Sequence, residues 1–178
     1  KWPDKYWQQL ARIAGDNGYK VKLLWGNQEE LSRAELIAQT GENVEVLNQL
    51  SLTDIASMLV QTKAVVAVDT GLAHLAAALN VPVVSIYGAT DSTLTGTYGK
   101  NQISLGSSLP CSPCLSKACQ YEGDDLLGDF ESGVFKVQPA CYASNPPERI
   151  WEKILKLVSS TEKNKNNLIQ GSWRKDSA

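Results

Sequence analysis

The sequence predicts an α/β fold, a parallel sheet with a helical layer on each face. Three observations carry that expectation. Apolar stretches of strand length alternate with stretches of helical period from residue 5 to residue 87. Residues 64–68 are almost continuously apolar, as a strand buried on both faces should be. Short links rich in Gly, Asn and Asp separate the stretches. Such alternation implies parallel strands joined by right-handed crossovers, hence a three-layer, Rossmann-like sheet.

Each element has its own justification. Trp2-Pro3-Asp4 reads as a turn into a helix over residues 5–17. Tyr6, Leu10, Ile13 and Ala14 fall at helical spacing there, and Gly18 suits the C-cap. Residues 19–25 (YKVKLLW) read as a strand, ended by Gly26-Asn27. A helix over residues 29–40 follows, closed by Gly41, and then a short strand at 44–47. Ser51 suits the N-cap of a helix over 52–60 that buries Ile55, Met58 and Leu59. The strand at 64–68, a helix over 72–79 and a strand at 83–87 complete the run.

Beyond Gly88 the texture changes. Residues 89–100 are a polar loop rich in Gly and Thr, and 102–105 suit one further strand. Residues 107–142 read as an irregular insertion with all four cysteines and the acidic Glu122, Asp124, Asp125 and Asp129. Asn145 is expected to cap an amphipathic helix ending near residue 158, with Ile150, Trp151, Ile154, Leu157 and Val158 on its apolar face. The expected organisation is one domain over 1–158 and a polar, disordered tail over 159–178. Trp173 in that tail has no role in this reading.

Bulk properties bound the function. A chain of 178 residues suffices for one α/β domain with a real core. The net charge of −2 argues against nucleic acid as a default partner. The apolar runs are too short to span a bilayer. Four cysteines bunched in one region do not make a small secreted disulfide scaffold, so a reducing cytosol is expected. The chain opens on Lys-Trp-Pro without Met, so the true N-terminus is expected upstream.

The run AVVAVDTGLAHLAAALNVPVVSIYGAT, residues 64–90, is the most informative. It places Asp69 where a strand ends, Gly71 in the turn, and a helix behind. In an open parallel sheet, ligands bind at the carboxyl ends of strands beside helix N-termini, which favour phosphate. The segment thus offers an anion cradle with a carboxylate at its lip, suited to a nucleotide-sugar. Asp69 would repel phosphate, so it either faces sugar hydroxyls or caps the helix. The amides of Gly71 and Leu72 either meet a diphosphate or belong to an ordinary turn. His74, the only histidine, either bonds a sugar hydroxyl or phosphate oxygen or is structural. Glu29 and Glu30 either hold ribose hydroxyls or are first-turn acids favoured by the helix dipole. Gly88-Ala89-Thr90-Asp91 can add amides and a hydroxyl at the same sheet edge. Lys1, Lys5 and Lys100 are candidates for a phosphate or are solvated surface lysines. Cys111-x2-Cys114-x4-Cys119 with Cys141 either binds zinc or consists of free thiols or a disulfide. A nicotinamide dehydrogenase is disfavoured, because no G-x-G-x-x-G follows the first strand. A Ser-His-Asp triad lacks its strand-turn-helix serine.

Taken together, KWPDKYW, KLLWGNQEE, VDTGLAHLAAAL, VPVVSIYGATD and TYGKNQ resemble, in order, the bacterial lipopolysaccharide heptosyltransferases. These are family 9 glycosyltransferases of the GT-B fold, and the likeness runs from Lys1 to about Gln102. WGNQEE, the Ser51-Leu52 helix start and YGKNQ are most similar to the branch that adds the first heptose to Kdo. The Cys-rich insert is more usual in the branch that adds the second. The resemblance implies that this is the C-terminal of two Rossmann-like domains, the one that binds ADP-L-glycero-β-D-manno-heptose. It implies Asp69 on heptose hydroxyls, the amides of Thr70, Gly71 and Leu72 facing the diphosphate, and His74 by the sugar-phosphate. It also implies Glu30 on ribose and Leu50 at the adenine wall. The family's phosphate lysine has the spacing Lys-x-Trp-Pro, so it would directly precede Lys1, and Lys1 carries that role only as a neighbour.

The resemblance further implies an inverting displacement without cofactor or obligate metal. The base belongs to an N-terminal domain that also receives the Kdo-lipid A acceptor. The implied setting is a monomer on the cytoplasmic face of the inner membrane, in peripheral contact with it. The alternatives are the second-heptose branch, another family 9 glycosyltransferase, a nucleotide-sugar epimerase on the same scaffold, or a non-catalytic nucleotide-binding module.

Overall fold

The computed structural model describes residues 1–130 and 133–171, with side chains of the last helix up to Thr161. The elements, in order, are α1 (Asp4–Asp16), β1 (Val21–Leu23), α2 (Gln28–Ala38), β2 (Val44–Val46), α3 (Leu52–Leu59), β3 (Val65–Val68), α4 (Gly71–Ala78), β4 (Val83–Ile86), α5 (Ser92–Thr95), β5 (Gln102–Leu105), β6 (Leu127–Phe130), β7 (Gly133–Lys136) and α6 (Pro147–Gly171). A 3-10 turn at Ala140–Ser144 precedes α6.

The helix ends follow local chemistry. Asn27 caps α2 by accepting from the Glu30 amide at 3.0 Å, and Ser51 caps α3 by accepting from the Asp54 amide at 3.2 Å. Gly18 has φ +78°, just past the end of α1, where a Cβ would be strained. The Tyr19 amide returns to the Ala14 carbonyl there, which satisfies the last turn.

Strands β3, β4 and β5 form a parallel sheet in that order, with Val65 opposite Val83 and Val83 opposite Gln102. Strands β1 and β2 form a second parallel pair. The period-two alternation of β3 and β4 serves two helical layers. Val66, Val68, Val84 and Ile86 pack with Trp2, Tyr6 and Leu10 of the N-terminal segment and with Ile150, Ile154 and Leu157 of α6. Val65, Ala67 and Val83 pack instead with Ile55 and Leu59 of α3 and Ala73 and Ala76 of α4. A third cluster, Ala11, Ile37 and Val44, ties α1 and α2 to β2. Val84 and Ile86 are fully buried, each contributing about 1.5–3 kcal/mol of apolar transfer. The three-layer α/β expectation holds.

Four details differ from the sequence reading. The expected single sheet is split in two, since β1–β2 and β3–β4–β5 do not pair. The insertion over 107–142 is not wholly irregular: β6 and β7 form an antiparallel hairpin, with Phe135 edge-on to Tyr6 at 5.6 Å. Its few apolar residues signalled no strand because only one face of the hairpin packs on the domain. Asn145 is not a helix cap but a fully buried strut. Its Nδ2 donates to the Gly106 carbonyl at 2.9 Å, and its own carbonyl accepts from Trp2 Nε1 at 3.0 Å. The final helix continues past residue 158 to Gly171, because no Gly or Pro interrupts the polar stretch after the apolar face runs out. Residues 172–178 of the expected tail, Trp173 included, lie outside the described residues.

Candidate functional site

The loops after β1, β2, β3, β4 and β5 leave the carboxyl ends of parallel strands, where α/β ligand sites form. Asp69 follows β3 and is half-buried. The N-cap of α4 is Thr70, in extended conformation with φ −147°, and its side chain makes no capping bond. The Asp69 carboxylate does not cap the helix either. It accepts instead from Thr95 Oγ1 of α5 at 3.3 Å. The capping alternative for Asp69 is thereby removed, and its carboxylate stays at the lip. The Ala73 amide bonds to the Thr70 carbonyl at 3.1 Å, so the amides ahead of it, Gly71 and Leu72, lead the helix. A Cβ at Gly71 would meet nothing within 4 Å, so open space lies in front of that turn.

The α5 turn that braces Asp69 is itself fixed. Asp91 Oδ1 accepts from the Thr93 amide at 2.8 Å and from its hydroxyl at 2.7 Å, which holds the Asp91 carboxyl below its usual range. Behind the lip stand two tyrosines. Tyr87 is fully buried, and its hydroxyl donates to the Thr95 carbonyl at 3.4 Å. Burial first, and then the Asp69 charge, raise its pKa. Burial and then neighbouring Cys141 push Tyr142 up to about 12, and Asp69 adds to the effect. Neutral phenols therefore back the Asp69 carboxylate.

Gly88, after β4, is where the insertion docks. A Cβ there would stand 2.8 Å from Cys141 Sγ and 2.8 Å from Tyr142 Cζ. Ser112 Oγ donates to the Gly88 carbonyl at 2.7 Å, and the Leu115 amide donates to the Ala89 carbonyl at 2.8 Å. The cysteine loop therefore rests on the post-β4 loop beside Asp69. All four cysteines are free; Cys111, Cys114 and Cys119 are exposed. Among the described residues, no group of three or more His, Cys, Asp or Glu is placed to hold a metal.

The other expected residues lie on neighbouring loops. Glu30 is exposed and its Oε2 accepts from the Gly26 amide at 2.7 Å, so one oxygen is used in shaping the β1–α2 turn. Lys1 pairs with Glu29 on α2. Leu50 is half-buried just ahead of the Ser51 cap, and His74 is exposed on α4. Lys100 lies exposed before β5. Sequence reasoning missed Thr95 and Tyr142, because both reach the lip from segments distant along the chain. Two concavities lie elsewhere. One, of about 680 Å³, sits between α1, the hairpin and the start of α6, and the other, of about 510 Å³, lies beside Lys1 and Arg33.

The glycosyltransferase family 9 (heptosyltransferase) pattern matches residues 1–124. The chain belongs to that family. As a family 9 member it is 42% identical over 164 residues to lipopolysaccharide heptosyltransferase 1 of Pseudomonas aeruginosa, covering 90% of this chain and 45% of that protein. Among solved structures it is similar to the E. coli heptosyltransferase WaaC with ADP, at 45% identity and TM-score 0.57, over 58% of this chain and 32% of that one. It also matches the E. coli ADP-heptose lipopolysaccharide heptosyltransferase II, at 23% identity and TM-score 0.66, over 91% of this chain and 43% of that one. This second likeness reports fold alone. The family 9 chain thus spans less than half the length of the relatives it matches. Membership favours a glycosyltransferase over the epimerase alternative. Among the described residues, no helix is long and apolar enough to cross a membrane.

Proposed function

We propose that this chain is the donor-binding half of an inverting heptosyltransferase. The reaction is transfer of heptose from ADP-L-glycero-D-manno-heptose to the Kdo of the lipid A inner core. One observation carries the reading: a carboxylate kept from capping, Asp69, stands beside the uncapped start of α4 in a family 9 chain. The 42% identity to a heptosyltransferase 1 supports the first heptose step, and the ADP named in the WaaC structure supports an adenosine diphosphate donor.

In this reading Asp69 grips heptose hydroxyls while the amides of Thr70, Gly71 and Leu72 meet the diphosphate. His74 lies by the sugar-phosphate. The second oxygen of Glu30 takes a ribose hydroxyl, and Leu50 forms the adenine wall. Lys1, or the residue before it, supplies a cation to the phosphates. Helix-terminal amides and that cation stabilise the leaving ADP, so no metal is required. The acceptor hydroxyl is deprotonated from the other half of the enzyme, and closure of the two halves excludes water. The setting is the cytoplasmic face of the inner membrane, in peripheral contact with the lipid acceptor, with the protein acting as a monomer.

Calorimetry and initial-rate kinetics on the intact enzyme test the reading. ADP is expected to bind more tightly than UDP. Asp69→Asn is expected to leave ADP affinity within about twofold while lowering turnover about 100-fold. A preference for UDP, or unchanged turnover in Asp69→Asn, would overturn it.

A further inference from the structure

Among the described tryptophans, Trp2, Trp7 and Trp151 have a plain structural purpose. All three belong to the apolar cluster that joins the sheet to α1 and α6. Each also has a ring partner. Trp2 stands 5.4 Å from Tyr6, Trp7 stands 4.7 Å from Trp2, and Trp151 stands 5.5 Å from Tyr19. Trp25 differs. It belongs to none of the three apolar clusters, and it has no aromatic partner among the described residues.

The ring is nevertheless held in place. Its Nε1 donates to the Leu47 carbonyl at 2.6 Å. The Leu47 amide donates in turn to the Leu23 carbonyl at 3.1 Å, one residue beyond the last paired position of β1 and β2. The indole therefore reaches from the loop after β1 to the end of β2, at the carboxyl end of this parallel pair, where α/β ligand sites form. That bond uses the only polar group an indole has, so what remains is aromatic surface. The side chain is half-buried rather than covered. Its surroundings suit a nucleoside. The Gly26 amide, next along the chain, donates to Glu30 Oε2 at 2.7 Å and holds that carboxylate beside the Trp25 backbone. Leu47 leads in three residues to Leu50, just ahead of the Ser51 cap. Trp25 thus ties the Glu30 turn to the loop that carries Leu50.

We infer that Trp25 is the stacking platform for the purine ring of the donor and the residue that favours purine over pyrimidine. The inference rests on the donor reading above, which puts ribose at Glu30 and the base by Leu50. A nucleoside is a flat aromatic ring joined to a polyol. With the ribose hydroxyls on Glu30, the attached base falls on the neighbouring apolar ring. Stacking asks for a π face held still and needs no hydrogen bond from that face. A two-ring purine overlaps an indole more fully than a one-ring pyrimidine, so the platform discriminates by overlap. Leu50 can pack on a base but has no π system. Pinning by Leu47 also lowers the ordering cost when the base arrives.

Two measurements on the intact enzyme test this. In protein saturated with ADP, NOEs are expected between the adenine ring protons and the Trp25 indole protons; their absence at saturation overturns the inference. Calorimetry with ADP, UDP and inorganic pyrophosphate then compares Trp25→Leu and Trp25→Phe with the parent. Trp25→Leu is expected to weaken ADP at least about tenfold, UDP about threefold and pyrophosphate less than about twofold, so the preference for ADP over UDP shrinks. Trp25→Phe keeps a stacking ring but loses the N–H, and ADP affinity is expected to stay within about threefold of the parent. Equal losses of ADP and pyrophosphate in Trp25→Leu would mean that the whole site had shifted, and equal losses of ADP in the two variants would make Trp25 a clip for Leu47. Either result overturns the platform. The NOE experiment uses parent protein and decides the matter even if both variants fail to fold. The two readings fail separately. A parent that binds ADP without contact to Trp25 overturns this inference alone, whereas a parent that does not bind ADP overturns the donor reading and the platform with it.

Discussion

Replacing Gly88 by Ala tests the packing behind the lip. The new Cβ would sit 2.8 Å from both Cys141 Sγ and Tyr142 Cζ, and 3.0 Å from the Tyr142 hydroxyl oxygen. Comfortable carbon contacts fall at about 3.5–4.0 Å, so the shortfall is ~1 Å. Neither side yields easily. Tyr142 is buried, and the Gly88 carbonyl is pinned by Ser112 Oγ at 2.7 Å. Overpacking of this kind costs about 1–3 kcal/mol. At about 2–4 °C per kcal/mol for a domain of this size, a mid-range cost of about 2 kcal/mol lowers Tm by about 4–8 °C. The assay is thermal unfolding in reducing buffer, with urea midpoints as a check. In a Cys141→Ala background one of the two clashes is gone, so Gly88→Ala should cost measurably less there. A Tm within about 1 °C of the parent, or an equal cost in both backgrounds, would refute the packing argument.

Three further outcomes are expected. Thr95→Val removes the hydroxyl that orients Asp69, and should lower kcat/KM for the donor about 3–10-fold in the intact enzyme, with Thr95→Ser restoring it; equal kinetics for Val and Ser would end that role. Burial raises the Cys141 thiol to about 11, with Cys119 and Cys114 adding to the shift. A proton held more tightly in the folded state contributes stability below the ordinary thiol pKa of about 8.5, and that contribution is lost as pH rises through about 11. Cys141→Ala should therefore flatten the fall of Tm in this window, and iodoacetamide should label Cys141 more slowly than exposed Cys111; an unchanged slope contradicts the burial argument. Thr70→Asp should supply the capping bond α4 lacks, adding about 1 kcal/mol, while its charge weakens ADP binding at least tenfold; greater stability with unaltered ADP affinity would separate the α4 start from the diphosphate.

What the sequence revealed and what it concealed divide along physical lines. Local signals read well. Ser51, Gly18 and the continuous apolar run of β3 act through their own backbone or nearest turn, so their roles are visible in order along the chain. Asp69 was legible as the end of a strand, but its two readings differed only in where the carboxylate points. Thr95, twenty-six residues on, decides that. Asn145 read as a cap because Asn before Pro-Pro-Glu matches a helix start; contacts with Gly106 and Trp2 make it a buried strut instead. The split sheet was hidden for a similar reason. Strand periodicity records which faces are covered, and both faces of β3 are. It carries no record of whether the hydrogen-bonding edge is paired.

The split sheet constrains how the site is assembled. Asp69 directly follows β3, in the sheet of β3, β4 and β5. Among the described residues its carboxylate is bonded from α5, which follows β4, and Tyr87 and Tyr142 stand after β4 and in the turn before α6. The bond that holds the carboxylate thus comes from the segment after β4. Glu30 and Leu50 stand on the loops after β1 and β2. Those two loops belong to the separate sheet, which α1 joins to the sheet of Asp69 by packing on α2 and β1 on one side and on α6, itself packed on β4, on the other. In the proposed reading, nucleotide contacts on one sheet and sugar contacts on the other are therefore set against each other by the packing of α1 on α2 and α6.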